Sequence, residues 1–180
     1  MSPVSTPLPL LPHPASPAID LRISALATLE ARELVLHYRV SGDTAAVRWP
    51  EAAGGGAADG LWRHTCFEAF LSGDSPSAYR EFNFSPSGRW ADYSFQRARE
   101  RDPRAQAPHA PLIERREHPE GVELVAVLDR RHLPAGPWRL GLTAVIEDRQ
   151  GRVSHWALHH PRATPDFHDP AGWTLQLPSR

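Results

Sequence analysis

Lysine is absent from this chain. All 20 basic residues are Arg, and against 21 acidic ones they leave a formal net charge of −1. A balance that close creates no global field to gather nucleic acid or an anionic membrane surface. Cysteine is nearly absent too. Cys66 alone excludes an intramolecular disulfide framework and suits a reducing compartment. It falls on an alternating stretch, where it reads as a buried, inert thiol. No run of about 18 apolar residues exists to cross a bilayer as a helix, and no apolar pattern of period 3.6 persists long enough for a substantial helix. The first eighteen residues hold six prolines and no Asp, Glu or Arg. They lack a basic segment, and prolines interrupt Leu8 to Leu11, so they do not read as a secretory signal. The expectation is a Pro-rich extended tail over 1–18, one domain over 19–180 and a cytoplasmic location.

What the chain does have is alternation. From Leu61 to Phe95, three runs of period 2 are separated by turn residues, the pattern of consecutive antiparallel strands. Phe67, Ala69 and Leu71 share one face, with Phe82 and Phe84 on the same side of the next run. Glu68, Glu81 and Asn83 take the opposite face, to which Trp90 is also assigned. Ser85-Pro86-Ser87-Gly88 supplies the turn, with Pro presetting φ and Gly free to adopt a positive one. One face is therefore a core face, and the other mixes carboxylates with Phe70 and Tyr79.

Similar runs surround this stretch. Ile23 to Leu29, Leu34 to Val40, Leu112 to Arg116, Val122 to Leu128, Trp138 to Ile146, Val153 to Ala157 and Trp173 to Leu177 all read as strands. Ala45 to Trp49 reads as a further short one, and Arg130 to Leu133 as a single helical turn. Ala52 to Gly60 is a Gly-rich loop without the spacing or the Lys of a phosphate loop. Gln96 to Ala110, with four Arg and no interleaved aromatics, reads as a solvated loop rather than a nucleic-acid groove. The fold class that follows is all-β: an antiparallel β-sandwich in one domain, with at most short helical turns.

The segments FEAFL and YREFNFSPSG resemble the middle strands of bacterial DOMON-like domains and of family 9 carbohydrate-binding modules. The C-terminal SHWALHHPRATPDFHDPAGWTLQL resembles the way those domains close. The likeness runs from about Leu10 to Leu177. It implies a sandwich that binds a small ligand, usually a sugar and in some branches haem. It also implies that Phe167 anchors the closing loop and that His168 is structural.

The residues support the first reading independently. Six tryptophans offer flat rings for the C–H face of a pyranose, while carboxylates, amides and guanidinium groups take the hydroxyls. The expected ligand-binding set is Trp62, Arg63, Glu68, Glu81, Asn83, Trp90 and Trp156. Trp138 and Trp173 are assigned to the core. The expected ligand is a carbohydrate or sugar-containing metabolite, with no nucleic acid or membrane as partner and the protein partner left open. His155, His159, His160, Asp166, His168 and Asp169 crowd into one loop, but their spacing fits no closed zinc pattern, and no metal is expected. Haem stays open as an alternative, without a Met axial ligand because the only Met is Met1. So does a hydrolase using Glu68 and Glu81. Lacking any nucleophile or zincin pattern, the chain is expected to bind rather than to catalyse.

Overall fold

The computed structural model describes residues 6–75, 77–105 and 107–178. Among the described residues there are twelve strands, all paired antiparallel, and eleven of them follow one path. In chain order they are β1 (Leu8–Pro12), β2 (Leu21–Leu29), β3 (Glu33–Gly42), β4 (Cys66–Ser72), β5 (Tyr79–Phe84), β6 (Trp90–Arg97), β7 (Glu100–Arg101), β8 (Leu112–His118), β9 (Gly121–Asp129), β10 (Trp138–Glu147), β11 (Val153–Ala157) and β12 (Leu175–Leu177). One layer runs β7-β6-β5-β4-β10-β11-β1 and the other β1-β2-β3-β9-β8, with β12 also bonded to β10. The two layers meet in a single core, and the expected β-sandwich is the fold.

The alternation read in the sequence fixes the inner faces. Phe67, Ala69 and Leu71 on β4, Phe82 and Phe84 on β5, and Leu140, Leu142 and Ile146 on β10 pack against Ile23, Leu34, Leu36, Tyr38 and Leu124 of the other layer. Tyr38 crosses the interior with its ring 5.1 Å from Phe67 and its hydroxyl donating to the Glu68 carbonyl at 2.7 Å. A buried phenol needs such a partner. Between β5 and β6, Ser85 caps the turn: the Ser87 and Gly88 amides donate to its hydroxyl and carbonyl, and Gly88 takes φ +88°.

Three expectations are revised. Residues 8–12, placed in the Pro-rich tail, form β1, which bonds to β2 on one side and β11 on the other and so joins the layers. Prolines at both edges of so short a strand leave enough donors for both ladders, and Leu10 is buried between them. Ala45 to Trp49 is not a strand but a single 3-10 turn over Thr44–Ala46 followed by one bridge, Val47 to Asp148. The stretch after Gln96 is not simply a solvated loop, because it contains β7, whose Arg101 pairs with Phe95. The helical turn does form, at Arg130–His132, its start capped by the Asp129 side chain.

Candidate ligand-binding site

The outer face of the β6-β5-β4-β10 layer carries a second apolar cluster of Phe70, Tyr79, Ala91, Tyr93, Phe95 and Trp173. It is here that Glu68, Glu81 and Asn83 emerge. Direct cross-strand pairs set the arrangement: Glu68 opposite Asn83, Phe70 opposite Glu81, and Glu81 opposite Tyr93. The chain after β11 folds back over this face. Trp173 stacks on Phe70 with centroids 6.0 Å apart and donates its indole N–H to the Phe167 carbonyl at 2.9 Å. It can lie so low because position 141 on β10 is Gly: a Cβ there would come within 2.3 Å of Trp173 Cδ1. Between the strands and the returning segment lies a cavity of about 380 Å³.

Glu68 and Glu81 form its floor, with the residues 2% and 5% exposed. Burial pushes the Glu68 carboxyl well above the usual range and the charge on Glu81 pushes it further, against a Thr143 hydroxyl that donates to Oε2 at 3.2 Å. Burial also raises Glu81, but there Asn83, Arg101 and Arg99 pull the other way. Two carboxylates so near each other cannot both ionise cheaply. Glu81 has more groups favouring its charge, so it holds the charge and Glu68 holds the proton. Asn83 supports the charged member: its Nδ2 donates to Glu81 Oε1 at 2.8 Å. Its Oδ1 is buried without a donor, on the direct cross-strand partner of Glu68, where a protonated carboxyl can donate to it.

His168 closes one wall. Its pKa is lowered to about 4, first by burial and then by the Arg99 charge, with Arg101 adding and Asp166 opposing. The ring is therefore neutral at pH 7, so the 3.6 Å approach of its Nε2 to Glu81 Oε2 is not an ion pair. The Arg99 amide donates to the Tyr79 oxygen at 3.0 Å, and the Tyr79 hydroxyl lies 2.6 Å from His168 Nδ1. With the Tyr79 hydroxyl donating its hydrogen bond to an unprotonated Nδ1, Nε2 carries the ring hydrogen and points it at Glu81.

Of the seven residues expected at the site, three line the cavity: Trp62, Glu68 and Glu81. Trp62 stands at the mouth on a 3-10 turn, Leu61–Arg63, and is 48% exposed. Asn83 is fully buried beside the carboxylates and acts on the floor from behind. The other three point elsewhere. Arg63 lies over the far side of Trp62, 5.2 Å from its ring centroid, and lines a separate groove with Arg48 and His64. Trp90 is opposite Phe84 across the β5-β6 turn, so it shares the Phe84 face and not the Glu81 face. Trp156 enters the core, its indole N–H on Ser154, while its neighbour His155 faces the cavity opposite Val145. Trp138 is in the core as expected, but Trp173 belongs to the outer cluster.

The sequence reading missed Tyr93, Phe95, Arg99, Arg101 and His155. His168, expected as a structural residue, bonds the Tyr79 side chain through its ring and lines the cavity. Phe167 does pack on the sandwich, 6.3 Å from Phe70. Among the described residues, no three His, Cys, Asp or Glu side chains converge to hold a metal ion. Haem does not fit this donor set. The cavity has two histidines, and both nitrogens of His168 face protein groups.

No protein-family model matches the chain, and neither does any curated protein. Solved structures do. A candidate carbohydrate-binding protein from Bacteroides uniformis superposes with TM-score 0.67 at 20% identity, over 93% of this chain and 83% of that one. A family 9 carbohydrate-binding module from Caldicellulosiruptor kristjanssonii, solved with glucose, gives 0.60 at 12% identity over 92% and 81%. The module from that organism solved with cellotriose gives 0.61 at 11% over 96% and 84%. The fold of this chain is therefore that of the family 9 carbohydrate-binding modules.

Proposed function

We propose that this chain is a non-catalytic binding module for a carbohydrate or sugar-containing metabolite, and that the ligand enters the cavity over Glu68 and Glu81. The observation that carries the reading is the pairing, in one cavity, of ring faces (Trp62, Tyr93, Phe95, Phe167) with buried hydrogen-bonding groups (Glu68, Glu81, His168). Sugars need both an apolar wall for their C–H faces and fixed partners for their hydroxyls. The floor offers both kinds of partner, since a protonated Glu68 donates and an ionised Glu81 accepts. The solved modules that share this fold hold glucose and cellotriose, which supports the same ligand class here.

Binding is favoured over hydrolysis by the placement of the two carboxyls. A glycosidase sets its pair on either side of the scissile bond, whereas Glu68 and Glu81 rise together from adjacent strands on one floor. Calorimetry against a panel of mono- and oligosaccharides tests the reading. One-to-one binding that weakens on Trp62→Ala and on Glu81→Gln is expected. Heat-silent titrations across the panel, or binding indifferent to both substitutions, would overturn it.

A further inference from the structure

The mouth of the cavity carries positive charge that its own acids leave largely unused. Arg101 reaches the cavity face because β7 pairs it with Phe95, and its guanidinium lies 3.6 Å from the Tyr93 ring centroid and 5.3 Å from that of Phe95. Among the described residues, no carboxylate pairs with it within 4.0 Å. One Arg101 donor is used by the Tyr93 hydroxyl, and a guanidinium laid on aromatic faces keeps further edge donors in a planar fork that matches a carboxylate or phosphate. Beside it stands Arg99, which bonds Asp166 at 2.8 Å through one terminal nitrogen. Arg99 is the only non-Gly residue at positive φ among those described (+60°), and its amide holds that bend onto Tyr79. Gly would take that conformation without cost. Any residue with a Cβ carries a steric penalty there, and such outliers gather where a side chain is needed.

From this mouth we infer that the ligand is an acidic sugar, whose carboxylate or phosphate is bound by Arg101 with Arg99 beside it while the ring lies along the aromatic wall. The inference rests on the carbohydrate reading above and adds the charge of the ligand. Glu81 does not cancel the mouth. It is buried on the floor and already met by Asn83, whereas Arg101 is exposed. A neutral sugar leaves the Arg101 fork facing water, while an acidic one gains a bidentate, charge-assisted contact.

Matched trios test it: the neutral hexose, its uronic acid and its 6-phosphate, in gluco, galacto and manno configurations, titrated by calorimetry at low salt. In the configuration that binds, one acidic member should exceed its neutral counterpart by about tenfold or more, and which one does so tells carboxylate from phosphate. High salt should shrink the gap. Arg101→Met should bring the trio level, the acidic member losing its advantage over the neutral sugar measured on the same variant. Arg97→Met, which alters a residue paired with Glu100 on the surface, should change nothing. Arg101→Lys, which keeps a charge but not the fork, should retain part of the preference. Neutral hexoses binding as tightly as their acids, or a preference that survives Arg101→Met, would overturn the inference and leave the carbohydrate reading standing. Failure of every sugar, neutral or acidic, would overturn both.

Discussion

Glu68 on β4 and Asn83 on β5 are direct cross-strand partners on the cavity face, and Asn83 bonds Glu81 through one end of its amide while its other end lacks a donor. Burial and the charge on Glu81 keep a proton on Glu68. The sign of the pH dependence follows. Unfolded, Glu68 ionises above about 4.5; folded, it keeps its proton well beyond that. Above about pH 4.5 the unfolded chain thus binds fewer protons at this residue than the folded one, and stability falls as pH rises. Glu68→Gln keeps the shape and does not titrate. Urea denaturation at pH 5 and pH 8 should show the variant gaining on wild type at the higher pH. A difference that is constant with pH, or that shrinks, would place the proton elsewhere.

The inner face of the same strands sets the stability of the sandwich. Phe82 is 1% exposed and stacks along Phe84 at 6.3 Å. Phe82→Ala removes that buried ring and leaves a void, at a cost of about 3–5 kcal/mol. Equilibrium unfolding measures it directly, and a loss below about 1 kcal/mol would mean that the ring does not fill the core.

The cavity depends on a glycine that touches no ligand. Gly141→Ala puts a methyl group where Trp173 Cδ1 lies, so Trp173 must lift from Phe70 and take the Phe167 carbonyl with it. Overpacking of this kind costs about 1–3 kcal/mol, and here it also shifts the wall that holds His168. The variant should lose stability and sugar affinity together. By contrast, Trp156→Phe, which alters the opposite face, should lower stability with affinity unchanged. Equal effects of the two on affinity would contradict the separation of core from cavity.

How far the site was legible depended on how local its determinants were. Alternation within β4 and β5 is a local property, so Phe82 and Phe84 fell inside and Glu81 and Asn83 outside without knowledge of the fold. Trp90 failed because its face depends on the pairing across the turn, and a register that joins Phe84 to Trp90 reverses the assignment. Trp156 failed in the same way: two adjacent residues of β11 face opposite sides, and the one with the large ring went into the core. Arg99 and Arg101 did alternate in the sequence, but a charged run reads as solvated until a neighbouring strand shows which side it covers. His155 and His168 are far from β5 in the chain: the β4-β10-β11 strand order brings the first to the cavity, and the return of the segment after β11 brings the second.

His168 gives the last prediction. In the unfolded chain it titrates near 6.5, and in the folded one near 4. Between those values the unfolded state takes up a proton that the folded state refuses, so this residue makes stability fall as pH drops from about 6.5 to 4. Glu68 and Glu81, with raised values, act in the opposite direction, so the contribution must be isolated by comparison. His168→Gln cannot titrate and should lose less stability than wild type across that window. The ring should also report its neighbours. Arg101→Met removes a positive charge, and the His168 titration followed by NMR should then move up toward 6.5. Parallel stability curves for wild type and variant, or a ring that already titrates near 6.5 in the wild type, would mean that His168 stands in solvent and is not part of the cavity wall.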